Sequence, residues 1–240
     1  MDESIADNLA ITVAKTGGIE LPAEILEFSI DQALDEGILK DIPFVGWIAK
    51  GFAVGMAISD KIFYHKILRF LFALESANNS DLHKFRLRID AEPEFRRKVG
   101  EHLVVMLDKV DAFDKANLLA VAFDHFLTGD IEHEHFIDLA HVIDRSSLAD
   151  LKALGVPDNQ RIVFTSTGLA AASGILEFGI AEPEPGEDLP QLGTRLSRFG
   201  RDLRDIFRGR YRTRAADEKE QRERLRKLFT DEGDAQETQG

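Results

Sequence analysis

Through residue 155, apolar side chains recur at the spacing of a helix, and no stretch of useful length alternates apolar with polar. A period near 3.6 buries one stripe of a helix, whereas a half-buried strand needs a period of two. This part of the chain is therefore expected to be all-α, with about eight helices.

Gly and Pro are sparse, so the helix boundaries can be placed. TGGIELP (16–22) separates a short first helix from a second one that Pro22 opens. Asp41 before Ile42-Pro43 pairs an N-cap with a first-turn proline. The helix starting there either continues to Ser76 or gives way to a second one capped by Ser59, DKIFYHKILRFLFALES. A kinked helix and a tight hairpin both fit. Asn78-Asn79-Ser80 reads as a loop, with Ser80 or Asp81 capping a short helix, and Pro93 opens EFRRKVGEHLVVMLDKV. Asp114 is expected to start DKANLLAVAFDHFL, which Gly129 stops. Residues 132–144 and 146–154 give two more helices, the last ended by Gly155 and Pro157.

The most apolar run, IPFVGWIAKGFAVGMAIS (42–59), poses a choice between a membrane span and a buried helix. A span needs about 20 apolar residues, and a central lysine costs ~2.5–3.5 kcal/mol on insertion scales. Lys50 sits mid-run, on a helical face with Gly46, Ala53, Ala57 and Lys61, while Gly51 and Gly55 permit close helix packing. The run is expected to be the core helix of a soluble bundle, with Trp47 buried and Trp47, Lys50, Gly51 and Gly55 as helix-packing candidates. The alternative is a membrane-acting effector using 42–72, because this stretch continues into the basic, apolar KIFYHKILRFLFAL.

After residue 155 the texture changes. RIVF (161–164) reads as a short strand or a turn, and TSTGLAAASGILEFG as a helix with small residues. GIAEPEP looks extended and GEDLPQLG loop-like. TRLSRFGRDLRDIFRG follows as an amphipathic helix, with Leu196, Phe199, Leu203, Ile206 and Phe207 as its apolar stripe. That stripe is expected to dock on the preceding domain. Domains are placed at 1–150 (helical), 151–214 (a small α+β region) and 215–240 (a charged helix and a disordered tail).

Charge is uneven. The net value is -13, yet the last fifty residues carry 13 Lys+Arg against 10 Asp+Glu. Residues 194–214 alone hold eight Arg and two Asp. An acidic body repels nucleic acid and anionic membranes over most of its surface. The exceptions are Arg195, Arg198, Arg201, Arg204, Arg208, Arg210 and Arg212, candidates for binding an anion or an acidic partner. Laid against the acidic body, the same helix needs no outside partner.

Familiar catalytic patterns are missing. With no cysteine there is no disulfide, thiolate metal site or cysteine nucleophile. There is no P-loop, dinucleotide fingerprint or G-x-S-x-G elbow. DHFLTGDIEHEHF lacks the carboxylates that a calcium loop needs. HEHFIDLAH places His133, His135 and His141 beside Glu134 and Asp138 without metal-ligand spacing, and the set reads as the solvent side of a helix. Asp108, Asp111 and Asp114 recur every three residues, and capping accounts for Asp111 or Asp114. No catalytic residue, cofactor or metal is expected. The 17 Phe against 1 Trp and 2 Tyr read as core filler.

Two resemblances add to this. IPFVGWIAKG through KILRFL, then PEFRRKVGEHLVVMLDKVD and HFIDLAHVIDR, resembles small bacterial helical proteins of unassigned function over residues 40–145. TRLSRFGRDLRDIF resembles the end of winged-helix domains, where an L-[ST]-x-x-G-x-x-L run follows the wing strand. Here those positions are Leu196, Ser197, Gly200 and Leu203. LAAASGILEFG would match a helix before the wing hairpin, and the resemblance implies DNA reading or protein contacts. The overall expectation is a mainly α, multi-helix bundle with a small C-terminal winged-helix-like α+β region. Its expected role is that of a soluble, cytoplasmic, non-enzymatic binding or regulatory module. A protein partner or self-association is favoured, nucleic acid is a weaker partner, and membrane is disfavoured.

Overall fold

The computed structural model describes residues 5–15, 58–75, 79–157, 161–181 and 191–209. The expectations for 42–57, including Trp47, Lys50, Gly51 and Gly55, lie outside these residues, as do Arg210, Arg212 and the tail. The described residues form nine helices and one two-stranded antiparallel sheet. Among them, no helix is long and apolar enough to cross a membrane.

The helical body comprises α1 (Ile5–Lys15), α2 (Ile58–Glu75), α3 (Asn79–Ala91), α4 (Pro93–Lys109), α5 (Phe113–Leu127), α6 (His133–Arg145) and α7 (Leu148–Leu154). Helix α2 puts Tyr64, Ile67, Leu68, Phe70, Leu71 and Leu74 into the core and packs against α5. The i, i+3, i+4, i+7 spacing of these residues makes one broad apolar stripe. Helix α1 is short and small-sided, and it closes on α4 through Leu9, Ala10 and Val13. At their crossing Gly100 meets the Ala6 backbone so closely that a Cβ there would lie 2.0 Å from the Ala6 oxygen.

Phenylalanine fills the centre. Phe123 stands edge-on to Phe85 and to Phe136, and Phe126 stacks on Phe136 with centroids 5.9 Å apart. Offset and edge-on pairs of this kind favour the ring quadrupoles beyond plain area burial. Lys115 is 1% exposed, and its Nζ donates to the Asp144 carbonyl at 2.8 Å and pairs with Asp111 at 2.7 Å.

The C-terminal part adds α8 (Thr167–Ser173), β1 (Leu176–Ala181), β2 (Gln191–Leu196) and α9 (Arg198–Phe207). Leu176 pairs with Leu196 and Phe178 with Thr194. Helix α9 packs on α5, α6 and α7, so Leu203 and Ile206 join the same core as the helical body. Docking of the apolar stripe is thus observed, with Phe199 and Phe207 partly buried beside it.

Several local expectations change. Helix α5 begins at Phe113 behind Ala112, which offers no side-chain cap. Asp111 and Asp114 instead form ion pairs with Lys115 and Lys152. Asn79 already belongs to α3 rather than to a loop. The expected helix over TSTGLAAASGILEFG ends at Ser173, because Gly174 takes φ +96° and turns the chain into β1. The expected helix from Thr194 is a strand up to Leu196, and the helix starts only after the Ser197 cap. Residues 161–164 make no ladder and run as an irregular segment. Its far end is held where the buried Asp150 accepts the Thr165 N–H at 2.7 Å.

Candidate functional site

The run Leu196, Ser197, Gly200, Leu203 proves to be a packing device. The Ser197 N–H donates to Ile175 O at 2.9 Å, its Oγ donates to Gly174 O, and the same Oγ accepts the Gly200 N–H at 3.0 Å. Gly200 passes so close to β1 that a Cβ would lie 2.1 Å from Ile175 O. One serine and one glycine therefore weld the start of α9 to the turn before β1. This holds one face of the hairpin, Leu176 and Leu196 with Phe178 and Thr194 beyond them, beside the 161–164 segment.

Between that face and the segment lies a groove of about 520 Å³. Val163, Phe164, Leu176 and Leu196 give it apolar walls, and Arg161 and Arg195 line it too. Phe178 flanks it, since it stands directly across from the groove residue Thr194 on the same hairpin face. Val163 is 73% exposed, Leu169 on α8 66% and Phe178 61%, the three highest values among the exposed large apolar side chains described. Arg195 pairs with Glu177 at 2.8 Å, while Arg161 has no ion-pair partner among the described residues.

The other arginine candidates point inward or along the helix. Arg201 donates to Leu196 O at 2.7 Å and Arg208 to Leu154 O at 3.0 Å. Arg198 lies 3.8 Å from Asp202. Arg204 Nε is buried 3.5 Å from Asp205, an ion-pair distance without hydrogen-bond alignment. Each of the five described arginine candidates thus has an internal partner, which an acidic body makes electrostatically favourable.

The histidines of α6 do not converge. His141 is exposed with Glu134 and Asp138, as a solvent face requires. His133 and His135 depart from that expectation. His135 Nε2 lies 3.0 Å from Asp202 on α9, at an angle unsuited to a hydrogen bond, and its ring stacks beside Phe199. His133 turns to α4, where its Nε2 is 3.1 Å from Nδ1 of His102. Burial holds the His133 imidazole below its ordinary range; His102, Lys98 and Arg88 add to this, and Glu134 opposes it. Among the described residues no group of three or more His, Asp or Glu could hold a metal ion. The His102–His133 contact joins positions 31 apart, so no local pattern announces it.

Comparison of the chain with protein-family models, with curated proteins and with solved structures gave no match.

Proposed function

We propose that the chain is a non-enzymatic binding module that acts through a protein contact at the hairpin groove. One observation carries this. Two of the three most exposed of the described large apolar side chains meet at one preformed concavity, Val163 in its wall and Phe178 across from its Thr194. Exposed apolar side chains flanking a groove mark contact surfaces more often than chance exposure does. The occupant is an extended partner segment that alternates apolar with acidic side chains. The apolar ones suit Val163, Leu176 and Leu196, and the acidic ones suit Arg161. On this proposal residues 151–214 act as a winged-helix-like unit devoted to protein contact, supported by the order α8, β1, β2, α9. A cytoplasmic location belongs to the same proposal, since a chain without cysteine suits a reducing compartment. Nucleic-acid binding by α9 receives less support, because its arginines have partners within the chain.

Selection of a displayed peptide library on the full chain tests it. Enriched peptides should combine apolar residues with Asp or Glu, and their binding should fall at least about tenfold with Phe178→Ala or Arg161→Glu. Melting should be unchanged, as both side chains are exposed. Peptides that bind these variants as well as wild type would refute the groove. A concentration-dependent dimer abolished by Phe178→Asp would replace the partner with a second copy of the chain.

A further inference from the structure

A second concavity, of about 490 Å³, opens on the helical body between the α3–α4 junction and the turn from α5 to α6. Phe95 and Phe126 supply its apolar wall, and Arg88, Lys98 and His133 bring positive or donor groups to it. This volume falls in the range of small-molecule sites.

Three features make it more than a gap. First, Arg88 is held in place. Its guanidinium carbon lies 3.7 Å from the Phe95 ring centroid, and its Nε sits 3.3 Å from both oxygens of Glu92. Only Nε is used there, so both terminal nitrogens keep their donors for a ligand among the described residues. An arginine fixed on a ring presents its fork at little further entropic cost. Second, Lys98 on the next helix has no ion-pair partner among the described residues. Third, α6 starts at the cleft without a side-chain cap at Glu132, so its first-turn amides lack that partner. A helix N-terminus favours negative charge. Glu132 and Glu134 also line the cleft, and they disfavour a bare, densely charged anion. They suit a ligand that offsets one anionic group with ring or hydroxyl donors.

We infer that this cleft binds a small organic anion with a flat ring, its anionic group between Arg88 and Lys98 and its ring against Phe95 and Phe126. Neither group alone suffices, since the charges lie partly in water and the rings are partly covered.

Benzenesulfonate, whose charge does not vary with pH, tests this in amide and imidazole NMR titrations of the full chain. Methanesulfonate supplies the anion alone and benzyl alcohol the ring alone. The expected result is saturable benzenesulfonate binding with Kd on the order of 1 mM, as fits a fragment of this size. It should perturb His133 and His102, and methanesulfonate and benzyl alcohol should each bind at least about tenfold more weakly. Arg88→Gln and Lys98→Gln should each weaken binding about three- to tenfold, with melting unchanged for the exposed Lys98. The inference is overturned if the two sulfonates shift the same amides equally, if neither variant weakens binding, or if benzenesulfonate does not saturate.

Discussion

Replacing Gly100 by alanine tests the tightest packing contact in the helical body. The added Cβ would lie 2.0 Å from the Ala6 oxygen, 2.4 Å from its carbonyl carbon and 3.0 Å from its Cα. Carbon atoms are at ease at about 3.5–4.0 Å, so α1 must retreat by roughly 1.5 Å. The obstacle is backbone, which no rotamer change can clear. A gap of about 1 Å already forfeits about half of the dispersion between facing side chains, so this one forfeits at least that. Leu9 and Val13 on α1 are fully buried, and each is worth ~1.5–3 kcal/mol, so the displacement costs about 2–3 kcal/mol. Better helix propensity returns ~1 kcal/mol. The expected net loss is about 1–2 kcal/mol, a fall in melting temperature of roughly 2–8 °C for a chain of this size. Urea unfolding by circular dichroism gives the stability, and hydrogen exchange should show early loss of protection in α1. Gly168→Ala is the control, because the nearest atom to its Cβ would be 3.9 Å away. It should be neutral or stabilise by up to about 1 kcal/mol. If Gly100→Ala matches wild type and α1 keeps its protection, the close crossing is wrong.

Ser197→Ala should cost about 1–2 kcal/mol, from loss of the α9 cap and of the bond to Gly174, read as a lower urea midpoint with early loss of exchange protection in α9. Lys115→Ala should cost about 3 kcal/mol by leaving the Asp144 carbonyl without its donor and opening a cavity, whereas Lys115→Met should cost clearly less, as thermal melting would show. His133 and His65 are both held below the ordinary imidazole value, His133 as described and His65 chiefly by burial, with Arg69 adding to it. The unfolded chain therefore binds those protons first, so stability is full above the unfolded imidazole value and falls as pH drops below it, levelling off beneath the folded values. Urea midpoints from pH 8 to pH 5 should show that fall, and a His65→Gln/His133→Gln variant should flatten it; an unchanged slope in the variant would refute the assignment.

The mainly helical body was legible because a stripe such as Ile67, Leu71 and Leu74 is a local, periodic signal that any helix must bury. Pro93, Gly129 and Gly155 marked ends for the same reason, since each acts on the backbone next to it, whereas the Ser147 cap lay inside the helix expected over 146–154. The stripe from Leu196 to Phe207 likewise announced a docked element. The hairpin was misread because ILEFG and TRL are short and carry helix-compatible residues. What makes them strands is pairing between Leu176 and Leu196, 20 positions apart, together with the left-handed Gly174. The Ser197 and Gly200 contacts with Gly174 and Ile175 were visible as a motif but not as packing, because the partners lie across the hairpin. The groove at Val163 and Phe178 and the cleft at Arg88, Lys98 and His133 had no signal in the chain order at all. Periodicity and capping depend on neighbours within a turn or two, so sequence alone determined the long helices and their main apolar stripes, but not the short strands of the hairpin. Concavities and the His102–His133 contact depend on which distant segments meet, and only tertiary packing decides that.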